Sequence, residues 1–203
     1  MPAWAADARF GVMSTLVLYH DFASAFCRLA LPMAREASAA AGLGLELVPF
    51  ELFPTPLSLP APGNVLAPEL EAARYRAEEL KLALMMPSRT PRTRKAHEAV
   101  AHARPAGLDL AMAEALYDAV WQRDLDIARL DVLGELAESI GLDGATLHVA
   151  LGVDTHERAV VGAQLEAEAA GITGVPTLRL GGSELVGLVT PPELAAWLSS
   201  VRR

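Results

Sequence analysis

Apolar and polar positions alternate between two periods along this chain. Thr15-Leu16-Val17-Leu18-Tyr19 is a short apolar run of strand formers and predicts a buried strand. Ser24 can cap the helix that follows, which runs in composition to Ala41, with Gly42 placed to stop it and Pro32 inside it. Leu45 to Phe50 predicts a second strand, so the opening unit is a parallel βαβ. Residues 53–64 form a proline-rich loop, and helical signals then run from Pro68 to Ala170. Leu116, Tyr117, Val120 and Trp121 share one helical face, as do Leu133, Leu136, Ala137 and Ile140. Asp109 and Asp143 follow Gly-Leu pairs as N-caps, and Asp154 with Glu157 resembles a capping box. Thr177 to Leu180 and Leu185 to Leu188 predict a hairpin turning at Gly181-Gly182. Thr190, Pro191 and Glu193 open a final helix, by capping residue, N1 proline and reciprocal glutamate.

The order is therefore β-α-β, a long helical segment, then α-β-β-α. It predicts an α/β thioredoxin fold with a large all-helical insertion. Residues 14–60 and 153–203 form the thioredoxin part, 61–152 the insertion and 1–13 an N-terminal extension.

Composition narrows the chemistry. The 203 residues carry 25 acidic and 17 basic side chains, for a formal net charge of −8. That opposes broad electrostatic binding to nucleic acid or to an anionic membrane. Mean hydropathy is positive, at +0.28. Yet the longest uncharged stretch, Leu52 to Pro68, holds five prolines and cannot span a bilayer as a helix. The start has no basic n-region and no small-residue cleavage site, so the expected location is the cytoplasm. Cys27 is the single cysteine. An intrachain disulfide, a cysteine-rich zinc site and a two-cysteine redox centre are all excluded. His97, His102, His148 and His156 show no metal-ligand spacing, and no phosphate-cradling glycine loop or nucleophile elbow is present. No metal is expected.

Three local features sharpen the fold reading. Asp21-Phe22-Ala23-Ser24-Ala25-Phe26-Cys27 follows the first strand, Pro32 lies five residues after Cys27, and Gly174-Val175-Pro176-Thr177 precedes a late strand. From Thr15 to Val201 the chain resembles the DsbA-like thioredoxin family, and within it the FrnE-type branch. That branch carries Asp-Phe-x-Cys-Pro-Trp-Cys after strand one. Its Thr-x-x-Ala-His stretch is matched by Thr93 to His97, and its Gly-Ile-x-Gly-Val-Pro-Thr run by Gly171 to Thr177. The resemblance implies a thiol-disulfide oxidoreductase ancestry and a cis-proline at Pro176 beside the active site. The chain departs from the pattern at its centre: Ser24 stands at the first cysteine position, Ala25 and Phe26 at the Pro-Trp positions, and only the second cysteine remains, as Cys27. A serine hydroxyl at a helix start is not acidified enough to act alone and cannot form a disulfide. Serine at this place is similar to the kappa-class glutathione transferases and 2-hydroxychromene-2-carboxylate isomerases, which carry Ser-Pro-Tyr-Ser. There the resemblance implies that the hydroxyl donates to the thiolate of bound glutathione. The chain lacks their second serine, their proline and their Gly-x-Asp-Arg stretch.

The candidate site residues are Ser24, Cys27 and Pro176, with Phe22, Phe26, Val175 and Thr177 lining the ligand. Each also has a structural role to weigh. Ser24 is a good N-cap and Cys27 a small packing residue. His20 and Asp21 sit near the site, but neighbours on a strand point to opposite faces. Arg89, Arg92, Arg94, Lys95 and His97 form a basic cluster, either a solvated helix face or an anchor for a ligand carboxylate.

Three functions fit: a DsbA/FrnE-like protein that keeps thiol or peptide binding without dithiol turnover, a glutathione-dependent transferase or isomerase, or a non-catalytic interaction module. The expected partner is a small thiol or peptide, with glutathione a possible co-substrate and no other cofactor.

Overall fold

The computed structural model describes residues 15–202. Residues 1–13, read as an extension, lie outside the described residues. Four strands form one mixed sheet in the order β2-β1-β3-β4. Strand β1 (Thr15–His20) pairs in parallel with β2 (Gly44–Pro49), with Leu18 opposite Leu47. Strand β3 (Thr177–Leu180) runs antiparallel to β1, with Tyr19 opposite Thr177, and β4 (Ser183–Val186) closes the hairpin. The chain thus has a thioredoxin fold carrying a helical insertion.

Alternation along β1 divides the core. Leu16 and Leu18 belong to the large core with Leu29, Ala30 and Met33 of α1 (Ala25–Ala41). Val17 and Tyr19 face a smaller cluster with Ala167 of α7 (Glu157–Ala169), Phe50 and Ile172. The side-chain period of two puts the same strand to use on both faces. Helix α8 (Pro191–Val201) packs beside α1 and starts with a complete capping box between Thr190 and Glu193.

The helical segment comprises α2 (Pro62–Glu79), α3 (Arg94–Ala103), a 3-10 turn at Arg104–Ala106, α4 (Asp109–Trp121), α5 (Leu130–Ser139) and α6 (Gly144–Gly152). Its largest side chains, Tyr117 and Trp121, are wholly buried, so the segment shares the main core with the sheet. Two contacts tie it to the turn after β1: Tyr117 Oη donates to the Asp21 carbonyl at 3.2 Å, and Trp121 Nε1 to that of Phe22 at 3.0 Å.

Several local expectations are corrected. Asp109 is the first helical residue of α4, not its cap, and its Leu108 N-cap has no side-chain bond. Asp143 does cap α6, accepting from the amides of Ala145 and Thr146. Asp154 forms no capping box. It lies at φ +55°, α7 starts after His156, and Asp154 turns its carboxylate to Lys95 instead. Helix α2 starts within the proline-rich stretch, because Pro62 suits a first helical turn that needs no N–H there. Strand β4 lies two residues earlier than expected, because the Gly181-Gly182 turn connects directly to Ser183.

Candidate functional site

The loop from β1 to α1 delivers Ser24 to the helix start. Its backbone is extended (φ −106°, ψ 122°), and its Oγ accepts from the Cys27 amide at 3.2 Å. This is the ordinary N-cap bond. The hydroxyl proton goes elsewhere: Ser24 Oγ donates to Oε1 of Glu69, on α2, at 2.5 Å. The Phe26 amide donates to the same oxygen at 2.9 Å. A carboxylate of this chain therefore occupies the place at the α1 start where free amides and the helix dipole favour negative charge. Glu69 is raised above the ordinary carboxyl range because burial disfavours its charge, and the bonds from Ser24, Phe26 and the Ala25 amide only partly offset this.

Cys27 sits one turn deeper and is wholly buried. Burial pushes its thiol far above the ordinary value, more strongly than a hydrogen bond with Ser24 lowers it. A thiol in that state holds its proton and is a poor nucleophile. Ser24 is itself only 1% exposed.

The remaining predicted residues divide into two sets. The register that sets Tyr19 opposite Thr177 brings Pro176 to the His20 end of β1, and the Val175-Pro176 bond is cis, as the family resemblance implies. Pro176 O accepts from the Gly187 amide at 2.8 Å. Val175 and Phe26 are half-buried and border the α1 start and the β3 entry. Phe22 and Thr177 face inward. Phe22 is fully buried against the rings of His20, His97 and Tyr117, and Thr177 Oγ1 donates to the Gly174 carbonyl at 2.8 Å.

His20 and Asp21 belong to one buried network, not to opposite faces. Asp21 lies past the end of β1, where strand alternation no longer applies. Its Oδ2 accepts from the Leu52 amide at 2.7 Å, and Oδ1 lies 3.3 Å from His97 Nε2. His20 Nδ1 lies 2.9 Å from Tyr117 Oη. Burial, then the nearby charges of His97 and Arg104, lower the pKa of His20 well below the ordinary imidazole value. Tyr117 is raised, first by burial and then by the adjacent Cys27 thiol.

The basic cluster is neither a bare solvated face nor a vacant anchor. Arg94 pairs with Glu51 and Glu157, Lys95 with Glu98 and Asp154, and Arg89 with Asp126. Arg92 donates to the carbonyls of Phe53 and Leu57. His97 is 3% exposed, inside the Asp21 network. Among the described residues no group of three His, Cys, Asp or Glu side chains is placed to hold a metal ion. No helix among them is long and apolar enough to cross a membrane.

Glu69 is the site residue that sequence reading missed. It follows Pro68 in an unremarkable helical stretch, and its partners lie 43 and 45 residues earlier. No local spacing reports such a contact.

A family model for the DSBA-like thioredoxin domain matches residues 15–199. The chain belongs to that family. The YwbO protein of Bacillus subtilis (strain 168) is 30% identical over 176 residues, which is 84% of this chain and 88% of YwbO. Among solved structures, a probable DsbA oxidoreductase of Streptomyces coelicolor superposes with a TM-score of 0.80 at 20% identity, over 93% of this chain and 90% of that one. A 2-hydroxychromene-2-carboxylate isomerase follows at 0.74 and 17%, over 93% and 95%. The cytosolic disulfide reductase DsbM of Pseudomonas aeruginosa gives 0.70 and 22%, over 93% and 98%. These identities carry the fold and not the chemistry. DsbA-like architecture here surrounds a centre built from Ser24, Cys27 and Glu69.

Proposed function

We propose that this DsbA-like protein binds a thiol or peptide ligand at the α1 start and carries out no dithiol turnover. One observation carries the reading: the only cysteine, Cys27, is wholly buried with its thiol pushed up, and Ser24 stands where a family member would present its nucleophile. Cycling between dithiol and intramolecular disulfide needs two thiols in reach, and the attacking one must be exposed and acidified. Half-buried Phe26 and Val175 would supply the apolar contacts for a ligand, and a peptide would pair with the backbone before the cis-proline. The cytoplasm is the compartment this reading implies, in keeping with the cytosolic DsbM among the similar structures. The test is insulin reduction with dithiothreitol. The expected result is no acceleration above background, and rates like those of a Cys-x-x-Cys protein would overturn the reading.

The glutathione-dependent transferase or isomerase is the second reading. It is favoured by the hydroxyl of Ser24 at the helix start and by the similarity to the isomerase and to a DsbM structure with GSH. Glu69 opposes it, because a thiolate would have to take the Ser24 proton and the Phe26 amide from a carboxylate. Calorimetry with reduced glutathione decides between them. Binding that strengthens in Glu69→Gln supports glutathione as co-substrate, and no heat at several millimolar with either protein removes it.

A further inference from the structure

We infer that His102 and His156 together form a binding site for a divalent late transition-metal ion, with copper(II) held most tightly. His102 lies in the last turn of α3, and His156 is the N-cap residue of α7. They stand 54 residues apart, so no sequence spacing announces them. The packing of α3 against α7 brings them together, with His102 Nδ1 3.1 Å from His156 Nε2. No residue of the α1 start takes part.

Two nitrogens at 3.1 Å have the bite of a metal chelate. With imidazole–metal bonds of about 2.0–2.1 Å, they subtend about 100° at the ion, as neighbouring ligands of one shell do. The rings are crossed at 73°, with centroids 5.3 Å apart. Both are half-buried, so a small turn of each ring aims both lone pairs at one point. The proton balance closes whichever tautomer is present. In the neutral pair one facing nitrogen carries the shared proton and the other accepts it. Moving that proton through solvent to the far nitrogen of its own ring frees both facing nitrogens, and no net proton is released. Imidazole suits copper, nickel and zinc, and copper(II) heads that series in affinity.

The surroundings favour a cation. Burial, then the charge of His102, holds His156 below the ordinary imidazole value, so at neutral pH its lone pair is not lost to a proton. The Asp143 carboxyl is lowered chiefly by its bonds with Thr146 and to a smaller extent by His102, so a carboxylate lies within the field of that ring. The α3 cations Arg94 and Lys95 are neutralised by Glu157 and Asp154, which flank His156. Among the described residues no third His, Cys, Asp or Glu side chain completes a cage. Water therefore fills the remaining positions of the shell, and the ion exchanges with solvent.

The test titrates Cu2+, Zn2+ and Mg2+ into the full chain at neutral pH. Calorimetry with glycine as a competing chelator gives the affinities. Electron paramagnetic resonance without glycine counts the nitrogens on copper. One Cu2+ per chain is expected, at about micromolar affinity and with two coupled nitrogens. Zn2+ should bind at least about tenfold more weakly, and Mg2+ not at all. His102→Gln and His156→Gln should each weaken copper at least about tenfold, while circular dichroism reports an intact fold. His148→Gln, at an exposed histidine of α6, should leave binding unchanged. Copper held by both variants as tightly as by the wild type would place it elsewhere and overturn the site. A single coupled nitrogen would overturn the pairing, and Mg2+ held as tightly as copper would mean that carboxylates bind the ion. None of these outcomes depends on insulin reduction or glutathione binding.

Discussion

Glu69→Gln isolates what the carboxylate at the α1 start contributes. In the wild type, Oε1 accepts from Ser24 Oγ at 2.5 Å and from the Phe26 amide at 2.9 Å. Glutamine keeps an acceptor in that place and removes the charge, whereas Glu69→Ala removes both. The alanine variant forfeits a helix-start bond of about 1 kcal/mol. It also leaves the buried Ser24 hydroxyl without its acceptor, for about 1–3 kcal/mol more. A loss of about 2–4 kcal/mol is expected, and about 1 kcal/mol for glutamine at low pH. The pH dependence carries the sharper test. The folded-state pKa of Glu69 is raised above its ordinary 4.5, chiefly by burial. Between the unfolded and folded values the folded protein binds more protons than the unfolded chain, so this group's contribution falls as pH rises through that window. It is largest below 4.5 and levels off once pH has passed the folded value. Urea unfolding of wild type and Glu69→Gln from pH 4 to 8 should show the wild-type advantage shrinking with pH. An advantage that grows instead would mean that the two hydrogen bonds outweigh the burial of the charge, and would refute the raised carboxyl.

Three other outcomes follow from the same structure. Cys27 should react with a thiol reagent slowly in the native protein and at once after denaturation; fast native labelling would contradict its burial. Glu98 is fully buried, and burial raises its carboxyl above the ordinary range even though the Lys95 ammonium pairs with it at 3.0 Å. Glu98→Gln should therefore gain on the wild type as pH rises above 4.5, read from the same urea series, and a steady or falling ratio would refute this. Ser24→Cys should place a second thiol one helical turn from Cys27, close enough for an intrachain disulfide at a helix start. Mass spectrometry after quenched oxidation would count the thiols, and two that stay free would show that the positions do not meet.

Local signals carried most of the architecture. The apolar run at Thr15, the Ser24 and Thr190 caps and the Gly181-Gly182 turn each act within a few residues, and each stands where the pattern puts it. The errors at Asp154, the basic run and His97 came where a nonlocal partner outweighed a local motif. Asp154 and Glu157 have capping-box spacing, yet Lys95, 59 residues earlier, holds Asp154. The charges from Arg89 to Lys95 read as an exposed run because acidic partners such as Glu51, Asp126 and Asp154 are distant in sequence. His97 reads as one more polar residue of that run, but it lies beneath the β1–α1 turn against Asp21, 76 residues away. The site divides in the same way. Ser24, Cys27 and Pro176 lie on a legible frame, while Glu69 reaches Ser24 and the Phe26 amide from a separate helix.

On the proposed reading, serine at position 24, where the family resemblance implies a cysteine, does more than leave out a nucleophile. A helix start favours negative charge whatever supplies it. With no acidified thiol at that place, the amide of Phe26 and the hydroxyl of Ser24 converge on Glu69. Burial raises Glu69, and repulsion from Asp21 adds a weaker push in the same direction. A ligand thiolate would therefore meet acidic groups where it needs donors. Binding of a thiol as its anion must then be linked to proton uptake by Glu69, or to its displacement. Affinity for a thiolate should rise as pH falls toward the range where Glu69 is protonated, while the thiol's own ionisation opposes it. Ligands that bind as neutral thiols or through their peptide backbone escape that conflict. On the proposed reading, half-buried Val175 and the Phe26 side chain are what such a ligand would touch.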